Sequence, residues 1–269
     1  MVSFVLPRLV GLRGPVRRSV SVAERNVAAL RSAYWIVLVS GLFEPMLYLL
    51  SIGVGVGALV GDLSLPGGRV VSYAAFVAPA MLAASAMSGA LAETTFNFFG
   101  KMKYMKLYDG ILATPVQPFE IALGELGWAM LRGTLYSAVF LAVMVAMDLT
   151  SPSRALLALP AAVLVGFAFG GLGMTISTFM RSWQDFDLLG SVQFTLFLFS
   201  GTFVPAEAYP SVLRWVVEAS PLYRAVDLIR GITVAGAGVS QLVDVLYLVA
   251  VLAFGLVVAG RRMGRLLCK

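Results

Sequence analysis

The chain has 269 residues, of which 59% are hydrophobic and only 13% are charged, and its mean hydropathy is +0.90. A soluble domain is nearer half apolar and a quarter charged, so this composition excludes a soluble globular fold. The formal net charge is +6, histidine is absent and Cys268 is the single cysteine, which excludes histidine-based catalysis, a multi-cysteine metal site and an internal disulfide.

The first predicted element lies within residues 1–32, ahead of any membrane span. Apolar residues recur there at alternating steps of four and three, and the opposite face is basic, with Arg17, Arg18, Arg25 and Arg31. This pattern is typical of a cytoplasmic amphipathic helix whose cationic side faces anionic lipid. A solvated basic leader is the alternative.

Six apolar stretches are each predicted to cross the bilayer, because a spanning helix needs about 20 mainly apolar residues. They are residues 34–60, 70–96, 121–147, 155–180, 188–204 and 241–260. The fifth stretch is the shortest. The sequence therefore predicts an all-α membrane protein with six transmembrane helices in one permease domain, residues 33–269.

Lysine and arginine residues in the connections predict the orientation of the spans. With the N-terminus inside, most of the 20 basic residues lie on the cytoplasmic side. We therefore expect a multi-pass protein of the bacterial inner membrane with both termini in the cytoplasm. The positive charge is then a topology signal, and no nucleic-acid partner is expected.

A cytoplasmic loop over residues 97–119 follows the second predicted span. Its centre contains Leu107, Tyr108, Asp109, Ile111, Leu112, Thr114 and Pro115. Because the residue before a proline is biased away from the α region, a short helix is expected to stop at Thr114. An exposed apolar face on such a helix is typical of a docking site. Simple continuation of the second span into the cytoplasm is the alternative.

The connection over residues 205–240 is external, yet it is too apolar for a polar linker. Prolines divide it into two short segments that cannot span a bilayer, and we predict two helices that lie on or dip into the outer leaflet. The residues of interest in this external hairpin are Pro205, Pro221, Arg224 and Asp227.

Ionisable residues within the predicted spans form the next group: Glu44, Glu93, Glu125 and Arg132. A charged side chain at the centre of a bilayer costs at least about 3 kcal/mol, so such residues face protein or a wet cavity. We predict that Glu44 or Glu125 pairs with Arg132 inside the bundle. A contact with substrate or with a transported proton is the alternative role.

Two further patterns concern the fourth and fifth spans. Gly166, Gly170 and Gly173 form a small-residue stripe of the kind that lets helix backbones approach closely. The run of phenylalanines in the fifth span fits an apolar substrate path, a lipid-facing surface or a subunit seam, and the sequence does not choose among them.

Four stretches in chain order resemble the membrane permease subunits of type 2 ABC exporters, a family that includes the lipo-oligosaccharide exporters and the daunorubicin-type drug exporters. They are residues 43–49, 78–87, 108–116, and 199–205 together with 220–230. One departure is Asp109, where many relatives carry glutamate.

The resemblance implies an N-terminal amphipathic helix, a cytoplasmic coupling helix within residues 97–119 and an external re-entrant two-helix hairpin. It also implies a second permease subunit, identical or related, and a separate ATP-binding cassette ATPase that binds ATP and Mg on its own chain. This chain would then need no cofactor or metal and would perform no covalent chemistry. The expected function is export of an amphipathic drug, lipid or lipo-oligosaccharide.

The absence of a G-x-x-x-x-G-K-[ST] phosphate loop agrees with an ATPase on another chain. The main alternative function is a proton-coupled secondary transporter that uses the intramembrane glutamates and Arg132. Many such carriers contain internal repeats, and the sequence has no convincing one. A membrane-embedded enzyme is a third class, and no nucleophile arrangement supports it.

Overall fold

The computed structural model describes residues 43–267 except positions 44–45, 48, 66–68, 115 and 236–237. Glu44, Pro115, the first part of the first predicted span and the predicted amphipathic helix with Arg17, Arg18, Arg25 and Arg31 lie outside the described residues. The described part is almost entirely helical, as the composition predicts.

The elements follow one another as nine helices and one small sheet in the described part. The first helix, α1, is a wider π-helical segment, Leu49–Val56, that continues as Gly57–Val60. The remaining helices are α2 (Tyr73–Leu91), α3 (Leu107–Leu112), α4 (Pro118–Ala146), α5 (Pro152–Ser177), α6 (Asp185–Leu198), α7 (Ser211–Ala219), α8 (Pro221–Arg230) and α9 (Val239–Leu267). Strands β1 (Asp62–Leu65) and β2 (Arg69–Ser72) form an antiparallel hairpin between α1 and α2.

Four helices in the described part are long and apolar enough to cross a membrane: Tyr73–Tyr104, Pro118–Ala146, Pro152–Ser177 and Val239–Arg265. The first of these is α2 together with its π-helical continuation. They coincide with the second, third, fourth and sixth predicted spans. The chain is therefore a multi-pass membrane protein.

The fifth predicted span, residues 188–204, does not form one continuous helix. Helix α6 has 14 residues, which at about 1.5 Å per residue covers some 21 Å of a hydrocarbon core about 30 Å thick. The helix ends at Leu198, and the chain then turns through Gly201, whose φ of 68° suits glycine far better than other residues. The hydropathy of this stretch predicts a membrane segment but not the turn that ends its helix.

Helix α5 lies at the centre of the bundle, where it packs against α2, α4 and α9. The glycine stripe predicted in this helix faces its neighbours: Gly166, Gly170 and Gly173 approach Met130, Leu126 and Thr94, respectively. The prediction of close helix packing at this stripe is confirmed.

A second close crossing joins α5 to α9. A side chain at Gly255 would place its first carbon 2.5 Å from the carbonyl carbon of Gly171, so the two backbones touch. Thr175 Oγ1 donates a hydrogen bond of 2.8 Å to the carbonyl oxygen of Gly255 across the same crossing. The sequence did not indicate this crossing, because Gly171 lies beside the predicted stripe and Gly255 shares no helix face with Gly260, the other glycine of the predicted last span.

Candidate functional site

Two ion pairs join α2 and its continuation to α4. Glu93 binds Arg132, and Lys101 Nζ lies 2.6 Å from Glu125 Oε2. The two pairs are about two helical turns apart on each helix, which is the arrangement that antiparallel neighbours give. Both carboxylates are buried, whereas the side chains of both cations are 20% exposed.

Of the two predicted partners of Arg132, Glu125 is wrong, and Glu44 lies outside the described residues. Glu125 lies on the same face of α4 as Arg132 but about two turns away from it, opposite Lys101. The antiparallel register instead brings Glu93 opposite Arg132. Asn97 Nδ2 also donates to Glu93 Oε1 at 2.8 Å, so the Glu93 carboxylate is held by a cation and an amide. This geometry favours a structural role.

Helix α3 lies at the end of the bundle that carries Lys101 and Glu125, which we call the α3 end. Lys106, in the left-handed region with a φ of 46°, separates α3 from the continuation of α2. The Tyr108 side chain is fully buried, and its ring centroid lies 5.2 Å from that of Phe98. The segment is thus a separate helix with an anchor in the core, and it does not simply continue the second span.

The predicted apolar docking face of α3 is turned toward the helix bundle instead of toward solvent. Ile111 and Leu112 are half-buried against the hydrophobic core. The outward face of α3 carries Asp109 instead, and Thr114 is exposed in the turn after the helix. The correction follows from helix rotation, because placing Tyr108 in the core turns its apolar neighbours inward.

The exposed apolar surface at the α3 end comes from residues just before the helix. Tyr104 is 58% exposed and Met105 is 73% exposed. Tyr104 also stacks on Trp183, with ring centroids 5.2 Å apart and an interplanar angle of 20°. This stack joins the end of α2 to the connection between α5 and α6, a link that the sequence did not indicate.

Helices α7 and α8 form a hairpin at the opposite end of the bundle. Helix α8 is largely buried, whereas α7 exposes Trp215. The Tyr247 hydroxyl donates a hydrogen bond of 2.8 Å to the Ala219 carbonyl oxygen at the α7–α8 corner. Since Tyr247 lies about 12 Å along α9 from its first residue, the corner lies beside the third turn of α9.

The predicted hairpin residues have distinct positions. Pro205 precedes a short 3₁₀ turn. Pro221 is the first residue of α8, a position whose N–H has no partner within the helix, so a proline there loses no hydrogen bond. Arg224 Nη1 lies 3.2 Å from Asp244 Oδ1, a buried carboxylate in α9. Asp227 lies close to the same Asp244 carboxylate. The intramembrane Asp244 was missed, because it stands one turn into the last span beside polar residues.

Arg230 is a further hairpin residue whose role only the structure shows. Its Nη2 donates a hydrogen bond of 2.9 Å to the Gly201 carbonyl, and its Nε donates one of 3.2 Å to the Phe76 carbonyl. Its guanidinium carbon also lies 3.8 Å from the centroid of the Phe76 ring. Arg230 therefore fastens α8 to α2 and to the turn after α6.

Replacing Arg230 by methionine is expected to reduce the free energy of unfolding by about 2 kcal/mol, since two charge-assisted hydrogen bonds are lost. Thermal unfolding of the purified protein in detergent measures the change. Arg214→Met is the control, because Arg214 is exposed and its ion pair is with Glu218, one turn away on the same helix. Equal melting temperatures for the two variants would contradict the role of Arg230.

Comparison with known proteins identifies the family of this chain. Residues 20–234 match the family model described as "ABC-2 type transporter". The chain belongs to the ABC-2 type transporter family. This permease is also similar to proteins named Nodulation protein J. One from Rhizobium leguminosarum bv. trifolii is 36% identical over 214 residues, which are 79% of this chain and 80% of that protein.

Another Nodulation protein J, from Sinorhizobium fredii, is 32% identical over 238 residues, or 87% of this chain and 89% of the relative. The resemblance inferred from four short stretches is thereby confirmed at the level of the family. This ABC-2 permease is a transport subunit and not an enzyme.

Proposed function

We propose that this ABC-2 permease is the membrane-spanning subunit of an ATP-driven exporter. It moves an amphipathic drug, lipid or lipo-oligosaccharide out of the cytoplasm or the inner leaflet. A separate ATP-binding cassette subunit binds ATP and Mg and supplies the force, and a second permease, identical or related, completes the membrane domain. Family membership and the likeness of its motifs to the lipo-oligosaccharide branch support this proposal.

The observation that carries the proposal is the construction of the α3 end. Helix α3 presents Asp109 outward, and Thr114 is exposed in the turn after it. Tyr108 holds the helix against the core. A push on α3 therefore reaches α2 through the contact of Tyr108 with Phe98. It also reaches α6 through the stack of Tyr104 on Trp183, since α6 begins directly after that connection. A surface of this kind is suited to receive motion from an ATPase.

The proposed topology has six membrane segments in the bacterial inner membrane, with both termini in the cytoplasm. The fifth segment consists of α6 and the turn after it. The α7–α8 hairpin re-enters the membrane from the outside. The position of the α7–α8 corner beside the third turn of α9 supports that assignment.

Replacing Asp109 by arginine is expected to reduce co-purification of the ATPase at least tenfold, because the change reverses the charge on the outward face of α3 without touching the core. The amount of ATPase retained by the affinity-tagged permease in detergent is the measurement. Ser153→Arg, an exposed change at the opposite end, is the matched control.

Undiminished ATPase binding by Asp109→Arg would overturn the assignment of α3. Full-speed export in vesicles that contain no ATPase would overturn the exporter proposal as a whole. The proton-coupled alternative receives less support, because Glu93 and Glu125 are each bound to a cation. Uptake driven by a pH gradient without ATP is the result that would favour it.

A further inference from the structure

A cavity of about 410 Å³ opens between the end of α5 and the first half of α6. Its size lies in the range of roughly 300–1,000 Å³ that small-molecule sites occupy. The cavity is lined by Ile176, Phe179, Met180, Arg181, Asp185, Leu188, Leu189 and Val192. The lining is thus apolar apart from two residues of opposite charge.

The two charged residues of this lining are available to a ligand. Arg181 forms no ion pair with any residue in the part of the chain that the structure describes. Asp185 Oδ2 accepts the backbone N–H groups of Arg181 and Ser182 at 2.7 and 3.2 Å, whereas Oδ1 has no hydrogen-bond partner among the described residues. These two backbone contacts hold the Asp185 side chain in place.

A nearby arginine cannot take the place of Arg181. Arg262 is committed to α5, because its guanidinium carbon lies 3.5 Å from the centroid of the Phe179 ring. It also donates to the hydroxyl and the carbonyl oxygen of Thr178 at 3.0 and 3.3 Å. Among the described residues, the cavity therefore offers one cation without an ion pair and one carboxylate with an oxygen that accepts no hydrogen bond.

The cavity opens toward the surroundings of the bundle at the α3 end. Leu188 and Val192 on its edge are 70% and 49% exposed, so apolar side chains border the opening. Trp183 follows Arg181 closely and is 38% exposed beside Tyr104. Partly exposed tryptophan and tyrosine are typical of the level at which lipid headgroups begin.

We propose that this cavity holds a resident phospholipid of the adjoining leaflet whose headgroup carries both a phosphate and a primary ammonium. The phosphate binds Arg181, the ammonium donates to Asp185 Oδ1, and part of an acyl chain lies along the apolar lining. A headgroup that has only a phosphate would meet the Asp185 carboxylate with like charge. A quaternary ammonium has no N–H to donate.

The test uses the full-length purified chain in detergent, without nucleotide or ATPase, titrated with phosphatidylethanolamine, phosphatidylglycerol or phosphatidylcholine. Native mass spectrometry counts the bound lipids. One saturable site is expected, with about tenfold tighter binding of phosphatidylethanolamine than of the other two. Arg181→Gln is expected to lower that affinity about tenfold, as the loss of a charge-assisted contact does. Lys103→Gln, an exposed cation outside the cavity, is expected to leave it unchanged.

A second pair of variants tests the cavity itself. Leu189→Trp fills the space and is expected to abolish the saturable site, whereas Gly190→Trp, on the same helix but outside the lining, is expected to retain it. Equal binding of the three lipids, non-saturable binding only, or a retained site in Leu189→Trp would each overturn the proposal. If Leu189→Trp does not fold, Arg181→Gln still decides, because an unchanged affinity for phosphatidylethanolamine in that exposed substitution also overturns it.

Discussion

Replacing Arg132 by glutamine is expected to lower the free energy of unfolding by about 3–5 kcal/mol, the usual cost of leaving one buried partner of an ion pair without the other. Glu93 would be left without its cation in a position where its side chain is only 6% exposed. The Asn97 amide alone does not compensate for the loss of the guanidinium. Chemical or thermal unfolding of the purified permease in detergent is the measurement.

The control for this experiment is the double variant Glu93→Gln, Arg132→Gln. It removes both charges and keeps two side chains of similar volume, so it is expected to regain most of the lost stability. A double variant as unstable as the single one would show that the two residues are not energetically coupled. Normal stability of Glu93→Gln with complete loss of transport would instead assign Glu93 to the transport path.

Replacing Gly255 by leucine is expected to prevent α9 from docking on α5 and to abolish accumulation of folded permease in the membrane. Even the first carbon of the new side chain would lie 2.5 Å from the carbonyl carbon of Gly171, and backbone cannot move aside as a flexible side chain does. Gly255→Ala is expected to fold with a loss of about 1–3 kcal/mol, the typical cost of overpacking. Membrane yield and melting temperature measure both effects.

Gly264→Ala is the matched control for that series, because Gly264 lies on the same helix with nothing within 4 Å of the added carbon. It is expected to leave the melting temperature unchanged or slightly higher, since alanine is the better helix former. A Gly255→Ala variant with the same melting temperature as the Gly264→Ala control would contradict the direct backbone contact between α5 and α9.

The sequence alone determined the class of this protein, the family and four of its membrane helices. These follow from local properties, because a long apolar stretch has one stable solution in hydrocarbon, a helix that satisfies its own hydrogen bonds. The glycine stripe in α5 was equally predictable, since its three residues share one face at helical spacing. The proline at position 115 predicted where a short helix would stop, but the sequence left open whether that helix was separate from the second span.

The tertiary structure decided which faces and which partners those elements use. The pairing of Arg132 with Glu93 depends on the antiparallel register of α2 and α4, and the burial of Tyr108 depends on the rotation of α3 about its axis. The turn at Gly201 and the crossing at Gly255 depend on backbone positions brought together from distant parts of the chain. Hydropathy and residue spacing indicate the secondary structure and environment of each segment by itself. Register, rotation and contact are relations between two segments, so they are determined only when the helices pack.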